Sequence, residues 1–363
     1  VRPSYVLGGR AMAVVYDATE LTEYFHAQVP QKPEHPILID KFLEHAVEVD
    51  VDALSDGKDV YVAGIMEHIE EAGIHSGDSA CVLPSYSLSY DHVANIAAQT
   101  EALARELRVV GLMNIQFAIK GDDIYILEVN PRASRTAPFV SKATGVPLPR
   151  LATQVMLGKT LKELDPWSMR RSGYVSVKES VFPFRRFPGV DILLGPEMRS
   201  TGEVLGMSTS VGEAIYKAQE ATQTRLPSSG TVLLSVNDKD KIELIEVARG
   251  FYECGFTLMG TGRTCDVMVA AGLPAEKVCK INEGRPNILD KITNGEVAII
   301  INTPNDKKGR GDDSYIRKAA VKAKIPYFTN MAAAKATVQA LRSIKKNGHL
   351  EVKSLQEFHS EIQ

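Results

Sequence analysis

Residues 113–135 read MNIQFAIKGDDIYILEVNPRASR, and this stretch decides the fold of the first half of the chain. Apolar side chains alternate with polar or small ones over residues 113–119 and again over residues 125–129. An alternation with a period of two is typical of a β-strand. Gly121 and Asp122 lie between the two runs, where a tight turn favours residues of this kind. The stretch therefore predicts a β-hairpin.

Polar side chains on this hairpin predict a metal site. Glu128 and Asn130 are two residues apart on a strand, so they point to the same face. If Gln116 pairs with Glu128, its amide joins that face, and such oxygen ligands suit Mg²⁺ or Mn²⁺ carrying nucleotide phosphates. The alternative is a polar, solvated sheet face, the commoner meaning of such a hairpin. Arg132 and Arg135 follow directly, and two anion-binding guanidinium groups beside the carboxylate favour the metal site.

Helix and strand patterns continue outward from the hairpin. Residues 91–107 carry apolar groups on one helical face, and we expect Gly111 to supply the left-handed residue that stops this helix. Helix is predicted again over residues 148–164, and prolines mark a loop-rich stretch at 183–196. The pattern changes at residues 226–230, LPSSG, so we predict two domains, 1–224 and 225–363.

The second domain alternates strands with helices. We expect strands at 232–236, 256–259 and 297–301, and helices at 241–252, 315–324 and 332–344. Alternation on this scale predicts a small doubly wound parallel sheet. The fold class is therefore α/β, with an α+β first part followed by that sheet.

Composition narrows the classes of function. The chain has 363 residues and a formal net charge of −3, so no basic field supports nucleic-acid binding. Its four cysteines show no metal-binding spacing, which is typical of a reduced, cytoplasmic protein. The longest strongly apolar run, Val297–Ile301, is too short to cross a bilayer. We therefore expect neither a nucleic-acid partner nor a membrane partner.

A second candidate site lies in the second domain. Residues 260–264, GTGRT, follow a predicted strand as a Gly-Thr-Gly loop and open a helix, where backbone donors and hydroxyls can bind phosphate. Lys241, Lys280, Asn302 and Thr303 lie at or near the ends of neighbouring elements, where doubly wound sheets bind ligands. The alternative is a plain strand-to-helix turn with surface lysines.

Several motifs resemble one enzyme family. Residues 128–132, EVNPR, resemble the metal-binding strand of ATP-grasp ligases. Five further stretches resemble the C-terminal half of the large subunit of glutamine-hydrolysing carbamoyl phosphate synthetases. They are residues 2–10 (RPSYVLGGR), 48–52 (EVDVD), 66–79 (MEHIEEAGIHSGDS), 138–145 (PFVSKATG) and 194–203 (LGPEMRSTGE). In combination these matches are specific for that family, whereas each alone is not.

The resemblance implies roles in binding ATP and a divalent metal, Mg²⁺ or Mn²⁺, with K⁺ as a further candidate. Gly8 and Gly9 would form a flap over the phosphates, and Arg2 would contact phosphate at its base. The remaining implied contacts are Lys41 to Leu43 for adenine, Glu48 for ribose, and Gly73, Ile74, His75 and Ser76 lining the nucleotide site. Gln116, Glu128 and Asn130 would hold the metals, and Arg132 and Arg135 would bind carbamate.

The implied activity is phosphorylation of carbamate to carbamoyl phosphate, for pyrimidine and arginine biosynthesis, with a glutaminase small subunit as partner. The resemblance leaves room for a homo-oligomer. Whole ATP-grasp units have a preceding lobe, so we expect the chain alone to be inactive. The alternatives are another ATP-grasp ligase, such as a relative of biotin carboxylase, and a non-catalytic nucleotide-sensing module.

The second domain resembles the methylglyoxal-synthase-like domain that ends these synthetases. Residues 282–287, NEGRPN, replace the Gly-Gly-Asp segment of methylglyoxal synthase, so the resemblance implies allosteric sensing of uridine or inosine monophosphate. The implied nucleotide contacts are Ser235, Lys241, Thr261, Thr264, Lys280, Asn302 and Thr303. An ornithine site between the domains is implied for Glu70, Asp78, Glu179 and Thr329, and the alternative is a set of solvated surface acids.

Overall fold

The structure is a computed structural model that describes residues 1–4, 11–28, 35–169, 173–187, 192–222, 225–303, 310–348 and 350–361. The first part is built on a seven-stranded antiparallel sheet of order β7-β6-β3-β4-β5-β8-β9. These strands are β3 (Val47–Asp56), β4 (Val60–Glu71), β5 (Cys81–Leu83), β6 (Val110–Lys120), β7 (Asp123–Asn130), β8 (Val175–Val181) and β9 (Gly202–Ser208). A separate pair, β1 (Arg2–Pro3) and β2 (Ile37–Leu38), precedes them.

Helices cover both faces of this sheet. They are α2 (Tyr90–Glu106), α3 (Ala137–Thr144), α4 (Leu148–Met156), α5 (Leu161–Leu164), α6 (Pro166–Met169) and α7 (Val211–Ala221), while α1 (Ala18–Gln28) precedes the sheet in the chain. On one face Val49, Val51 and Ile115 pack under Ile96 of α2. On the other face, Leu54 packs under α3 and α4. Because side chains alternate along β3, Glu48, Asp50 and Asp52 share the face of Leu54 and form its polar end.

The predicted hairpin is confirmed. β6 and β7 pair antiparallel around Gly121 and Asp122, and Gln116 lies opposite Glu128 as the metal-site interpretation requires. The next pair in the ladder joins Phe117 to Ile126. Leu127 is therefore an extra residue on β7, which makes a β-bulge beside Glu128.

Three local predictions were wrong. α2 ends at Glu106 and the chain reverses at Arg108 (φ 51°), so Gly111 does not stop the helix. Gly111 lies inside β6, where an added Cβ would be 2.6 Å from Met156 Cε. The helix predicted over 148–164 is two helices, because Gly158 (φ 99°) ends one and Thr160 caps the next.

The third error concerns the predicted Gly-Thr-Gly loop. The strand continues through Thr261 and the helix begins at Gly262, so no loop separates them. Gly260 serves close strand–helix packing instead, since an added Cβ would lie 2.6 Å from Met268 Cε and 3.0 Å from the Cys265 backbone.

The second part is the doubly wound parallel sheet that was predicted. Its order is β12-β11-β10-β13-β14, and every pair is parallel. The strands are β10 (Thr231–Ser235), β11 (Thr257–Thr261), β12 (Ala275–Val278), β13 (Ile299–Asn302) and β14 (Tyr327–Phe328). The helices are α8 (Lys241–Glu253), α9 (Gly262–Ala270), α10 (Ile288–Thr293), α11 (Arg310–Ala323), α12 (Met331–Asn347) and α13 (Leu355–Glu361). Residues of α8, α9 and α12 pack on one face of the sheet, and residues of α10 and α11 pack on the other.

The two parts share an apolar core at their junction. Val82 and Val177 of the first sheet, Ile215 of α7, and Val338 and Leu341 of α12 belong to one buried cluster. Residues 223–224 lie outside the described residues, so the boundary between 224 and 225 stays a prediction. Among the described residues, no helix is both long and apolar enough to span a bilayer.

The closest approach at the junction depends on Gly212 of α7. An added Cβ would lie 2.3 Å from Ser343 Oγ and 2.5 Å from the Gln339 carbonyl oxygen of α12. Gly212→Ala should therefore lower the free energy of unfolding by about 1–3 kcal/mol, the usual effect of overpacking, as measured by chemical denaturation. Gly202→Ala in β9 is the control, because its nearest neighbour is 4.0 Å away. Equal stability of the two variants would contradict this packing.

Candidate functional site

The polar end of the first sheet brings together rows of carboxylates and amides. Asp50 of β3 lies opposite Gln116 of β6, which lies opposite Glu128 of β7. One step along the ladder, Asp52 lies opposite Asn114, which lies opposite Asn130. Alternation within each strand and pairing between strands therefore place all of these side chains on one face, as predicted for Gln116, Glu128 and Asn130.

The predicted metal ligands have suitable chemistry. Asn130 Nδ2 donates to Glu128 Oε1 at 2.8 Å, so the two side chains are in contact, and Glu128 is exposed on the open face. No cluster of three or more histidine, cysteine, aspartate or glutamate side chains suited to a metal occurs among the described residues. A metal bound here would thus have mixed carboxylate and amide oxygens, completed by oxygens of the ligand. Such hard oxygen donors fit Mg²⁺ or Mn²⁺.

Buried charges beneath this face are paired. Asp50 accepts a hydrogen bond from His68 Nε2 at 3.0 Å, and both side chains are almost fully buried. Burial raises the pKa of Asp50, but the hydrogen bond and charge of His68 outweigh it and leave the pKa lowered. Burial likewise opposes the charged form of His68, yet surrounding negative charge, including Asp50, leaves its pKa well above the usual value. Both shifts favour the ionised form of each partner.

Glu48 is the carboxylate of β3 with the weakest compensation. Burial raises its pKa to about 7, although the charge of His68 and a backbone hydrogen bond from Gly73 lower it. It is 4% exposed and lies at the end of the row that faces the predicted nucleotide edge. A hydroxyl donor placed against Glu48 would favour its ionised form.

The nucleotide edge predicted from the motifs is partly assembled. Gly73 (φ 107°) lies against Phe42, since an added Cβ would be 3.2 Å from Phe42 Cε2. This contact brings the segment from Lys41 to Leu43 next to Gly73 and thus next to Glu48. Arg2 forms an ion pair with Asp40 at 3.1 Å, at the start of the same segment. Gly8 and Gly9 lie outside the described residues.

His75 and Ser76 face inward from this edge. The His75 amide donates to the Gly195 carbonyl at 2.8 Å, and its Nδ1 accepts from the Gly77 amide at 3.0 Å. Burial lowers the pKa of His75, and the positive charge of Arg135 lowers it further. The Ser76 carbonyl accepts from Lys178 Nζ at 3.0 Å, and Lys178 is 1% exposed. Ile74 continues the same turn between β4 and β5.

Asp52 is a residue that sequence reasoning missed. Its carboxylate accepts from Ser134 Oγ and Thr136 Oγ1, both at 2.7 Å, and from Asn114 Nδ2 at 3.1 Å. Ser134 Oγ in turn accepts from the Ala137 amide at 2.9 Å, at the start of α3. Asp52 therefore fixes the loop that carries Arg132 and Arg135, both of which are exposed. The alternation of acidic and apolar residues over 48–52 was the sequence signal that could have identified Asp52.

The sheet of the second part collects its polar residues at one edge. Ser235, Thr261 and Asn302 end three adjacent parallel strands, and Thr261 Oγ1 donates to Ser235 Oγ at 3.0 Å. β10 and β13 flank the point where the strand order reverses, which is the usual ligand position in doubly wound sheets. Thr264 and Thr303 lie there as well, since Thr264 Oγ1 accepts from the Val236 amide at 3.3 Å.

The remaining predicted contacts differ in their surroundings. Lys241 Nζ forms a short ion pair with Asp238, and the charge of exposed Lys280 also acts on Asp238. The Asn302 amide is directed away from this group, because its Nδ2 donates to Asp313 Oδ1 at 3.1 Å and to the Tyr327 hydroxyl at 2.8 Å. The structure thus brings most of the predicted nucleotide contacts together.

The acids predicted between the two parts form a close pair and one separate residue. Burial and the charge of Glu70 together raise the pKa of Glu179 to about 8. Burial also raises the pKa of Glu70, whose Oε2 accepts from the Ala80 amide at 2.7 Å. Asp78 accepts instead from the amides of Arg199 and Ser200, with Ser200 at 2.8 Å. The Asp78 carboxylate therefore fixes the loop that contains Arg199 and Ser200.

A cavity of about 620 Å³ opens beside that acidic pair. Its lining runs from Ser180, directly after Glu179, to Phe184, and from Lys324 to Tyr327 across the junction. Thr329 directly follows β14. Among the described residues, the four predicted ornithine contacts are not part of this lining.

Comparisons with known proteins agree with this architecture. The family model "Carbamoyl-phosphate synthase L chain, ATP binding domain" matches residues 1–164, and the MGS-like domain model matches residues 243–329. The "Carbamoyl phosphate synthase large chain, C-terminal section" of Aquifex aeolicus is 49% identical over 99% of this chain and 71% of its own length. A "Carbamoyl phosphate synthase large chain" of Methanosarcina barkeri is 50% identical over 100% of this chain and 91% of its own length.

The chain belongs to the carbamoyl phosphate synthase large-chain family. It spans about a third of the Archaeoglobus fulgidus large chain, to which it is 53% identical over 99% of its own length. A solved structure, the biotin carboxylase domain of Hydrogenobacter thermophilus 2-oxoglutarate carboxylase, matches with a TM-score of 0.47. That match has 16% identity and covers 60% of this chain and 55% of the other.

Membership in the carbamoyl phosphate synthase family confirms the predicted resemblance. The ATP-binding model covers β3 to β7, which hold Glu48, Gln116, Glu128 and Asn130, and the MGS-like model covers β11 to β14. The residue roles are not decided by these matches and stay predictions. The geometry adds Asp52 and the His68–Asp50 pair to them.

The Asp52 contacts give a direct test of loop positioning. Asp52→Asn should speed amide hydrogen exchange over residues 131–137 by roughly tenfold or more, since a hydrogen bond to a charged group contributes about 1.5–3 kcal/mol. The measurement is hydrogen–deuterium exchange followed by mass spectrometry. Asp56→Asn on the same strand is the matched control, because Asp56 Oδ2 accepts from the Leu161 amide at 2.8 Å. That control should speed exchange near residue 161 and leave residues 131–137 unchanged. Unaltered exchange over 131–137 in Asp52→Asn would contradict the assignment.

Proposed function

We propose that this chain supplies the ATP-dependent ligase half of a carbamoyl phosphate synthetase that phosphorylates carbamate to carbamoyl phosphate. The observation that carries the proposal is the register of β3, β6 and β7, which aligns Asp50, Gln116 and Glu128 across three strands. An open face with carboxylate and amide oxygens, next to two exposed arginines, suits a phosphoryl-transfer site. In such a site, positioning and neutralisation of charge do most of the catalytic work.

Each group of residues has a role in this proposal. Gln116, Glu128 and Asn130 would hold Mg²⁺ or Mn²⁺, which when bound neutralises charge on the ATP phosphates, and K⁺ is a further candidate cofactor. Glu48 accepts hydrogen bonds from the ribose hydroxyls, and the segment from Lys41 to Leu43 contacts adenine. Arg132 and Arg135 bind the anionic acceptor, with their loop fixed by Asp52. The remaining nucleotide contacts are Arg2, Gly8, Gly9, Gly73, Ile74, His75 and Ser76.

The proposed setting is a whole cytoplasmic enzyme that serves pyrimidine and arginine biosynthesis. Its glutaminase small subunit releases ammonia from glutamine, and another synthetase half forms carbamate. The large chain is also a candidate for homo-oligomer formation. Carbamate is short-lived in water, so the acceptor site must exclude solvent during transfer. A relative of biotin carboxylase and a purely nucleotide-sensing module are less well supported, because the full-length matches are to carbamoyl phosphate synthase large chains.

The ligase proposal is tested by Glu128→Gln in the full-length enzyme. The substitution keeps the shape of the side chain but removes its charge, so ATP synthesis from carbamoyl phosphate and ADP should fall by roughly a hundred-fold or more. Bicarbonate-dependent ATP hydrolysis in the other half should remain. Glu101→Gln is the control, since Glu101 pairs with Arg105 on the exposed side of α2. Near-normal ATP synthesis in Glu128→Gln would remove Glu128 from the metal site.

The second domain is proposed to be regulatory. Ser235, Lys241, Thr261, Thr264, Lys280, Asn302 and Thr303 are the candidate contacts for uridine or inosine monophosphate. Ornithine is proposed to bind at the junction through the Glu70–Glu179 pair, with Asp78 and Thr329 nearby. Two adjacent, partly buried carboxylates with raised pKa values are short of positive charge, and a diamino acid supplies it.

The raised pKa of Glu179 makes ornithine binding pH-dependent. A cation binds the ionised carboxylate, so below a pKa of about 8 the binding of ornithine must release a proton. Ornithine affinity should therefore rise as pH increases from 7 to 8, by up to about tenfold, and level off above that range. Calorimetry in two buffers of different ionisation enthalpy measures the proton released. Glu179→Gln should abolish this release, and a pH-independent wild-type affinity would exclude the pair as the cation site.

A further inference from the structure

The loop between β10 and α8 is held over the polar edge of the second sheet. The Asn237 amide donates to Thr303 Oγ1 at 2.7 Å, which ties the loop to the end of β13. The Val236 amide donates to Thr264 Oγ1, which ties it to α9. Asp238 is the next residue and begins a short 3₁₀ turn, so its side chain is fixed close to the basic residues of this edge.

Asp238 uses both of its carboxylate oxygens on those basic residues. Oδ1 forms a short contact with Lys241 Nζ, and Oδ2 lies 2.8 Å from Arg263 Nη1. The hydrogen bond from Lys241 lowers the pKa of Asp238, and the charges of Lys241, Arg263 and Lys280 lower it further, so the side chain is ionised at neutral pH. The Lys241 side chain is 15% exposed and that of Asp238 is 55% exposed, so the carboxylate is open to solvent while the lysine is largely covered.

The same edge has the other features of an anion site. α9 begins at Gly262 directly after β11, and its capping residue Thr261 makes no side-chain hydrogen bond to the helix. Thr261 is instead committed to Ser235. The first amides of α9, together with the three basic side chains, therefore favour negative charge at this position. Within the described part of this edge, Asp238 is the anion that pairs with Lys241 and Arg263.

We propose that Asp238 is a resident anion that competes with the phosphate of an effector for Lys241 and Arg263. This inference rests on the proposed nucleotide site. A phosphate monoester carries close to two negative charges at neutral pH and can replace a single carboxylate, whereas a carboxylate or chloride gains little by the exchange. Asp238 thereby sets the affinity of the site and restricts it to phosphate-bearing ligands.

The proposal predicts a gain of affinity on substitution. Asp238→Asn keeps the size of the side chain and removes the competing charge, so phosphate binding no longer has to break two exposed ion pairs. Exposed ion pairs are weak because water screens them, so the dissociation constant should fall by roughly two- to thirty-fold. Lys241→Ala should then weaken binding more in the Asp238→Asn background than in the wild-type chain, because Lys241 is fully available there.

Isothermal calorimetry with inorganic phosphate, uridine monophosphate and uridine as probes tests the proposal. Asp238→Asn should tighten binding of the two phosphate-bearing probes and leave uridine unchanged. Asp266→Asn is the matched control, because Asp266 lies on α9, three residues after Arg263, and forms an exposed ion pair with Lys277 at 3.2 Å. It should leave all three probes unchanged.

Lys280→Ala separates failure of this inference from failure of the site. If Lys280→Ala weakens phosphate binding but Asp238→Asn leaves it unchanged or weaker, the site stands and the competition is wrong. If Lys280→Ala leaves binding of both phosphate-bearing probes unchanged, the proposed nucleotide site is itself wrong. If Asp266→Asn tightened phosphate binding as much as Asp238→Asn, the gain would come from the change in net charge alone. That result would also contradict the role assigned to Asp238.

Discussion

Burial of negative charge on β3 is the constraint on which the first half of the structure depends. A carboxylate removed from water is strongly destabilising unless it is paired or hydrogen-bonded, and Glu48, Asp50 and Asp52 are each 4% exposed or less. Asp50 is paired with His68, and Asp52 accepts hydrogen bonds from hydroxyl and amide donors. Glu48 is left with a pKa of about 7. The protein therefore compensates Asp50 in full and Asp52 only in part, because burial still raises the pKa of Asp52 to about 6. Glu48 is left for a ligand donor, which fits the ribose role proposed for it.

The junction connects this charged face to the second domain. Lys178 reaches the Ser76 carbonyl from β8, and the next residue on that strand, Glu179, forms the acidic pair with Glu70. The back of the same strands packs against α7 and α12 in one apolar cluster. A ligand at the junction would thus act on β5 and β8, which belong to the same sheet as the proposed ATP face on β3, β6 and β7. Regulation through this path requires two packings of the shared core, since packed interiors transmit displacement rather than absorb it.

Sequence reasoning predicted the elements whose patterns are local. The hairpin, the pairing of Gln116 with Glu128, and the doubly wound sheet all follow from alternation, turn residues and strand–helix order. It failed where contacts distant in sequence decide the conformation. Gly111 has a φ of 113° inside β6, so the strand requires its glycine rather than the preceding helix, and Gly260 is required by the Cys265 backbone packed against it. Asp52 was missed because its partners are 82 and 84 residues away, and no local pattern shows that Ser134 and Thr136 will reach it.

Each of the two candidate sites contains a carboxylate in an ion pair, but the two pairs differ in burial. Burial decides whether a ligand can replace one partner of the pair. Asp50 and His68 have side chains with 2% and 0% exposure, so breaking that pair would leave an unpaired buried charge. No anionic or cationic ligand can replace either partner at a reasonable free-energy cost, and the pair acts as fixed scaffold. Asp238 is 55% exposed, so water screens its contacts with Lys241 and Arg263, and each partner can be rehydrated when the pair opens. Catalysis benefits from the first arrangement because a preorganised face needs no rearrangement when ATP binds. An effector site benefits from the second, because a sensor must release its ligand when the concentration falls.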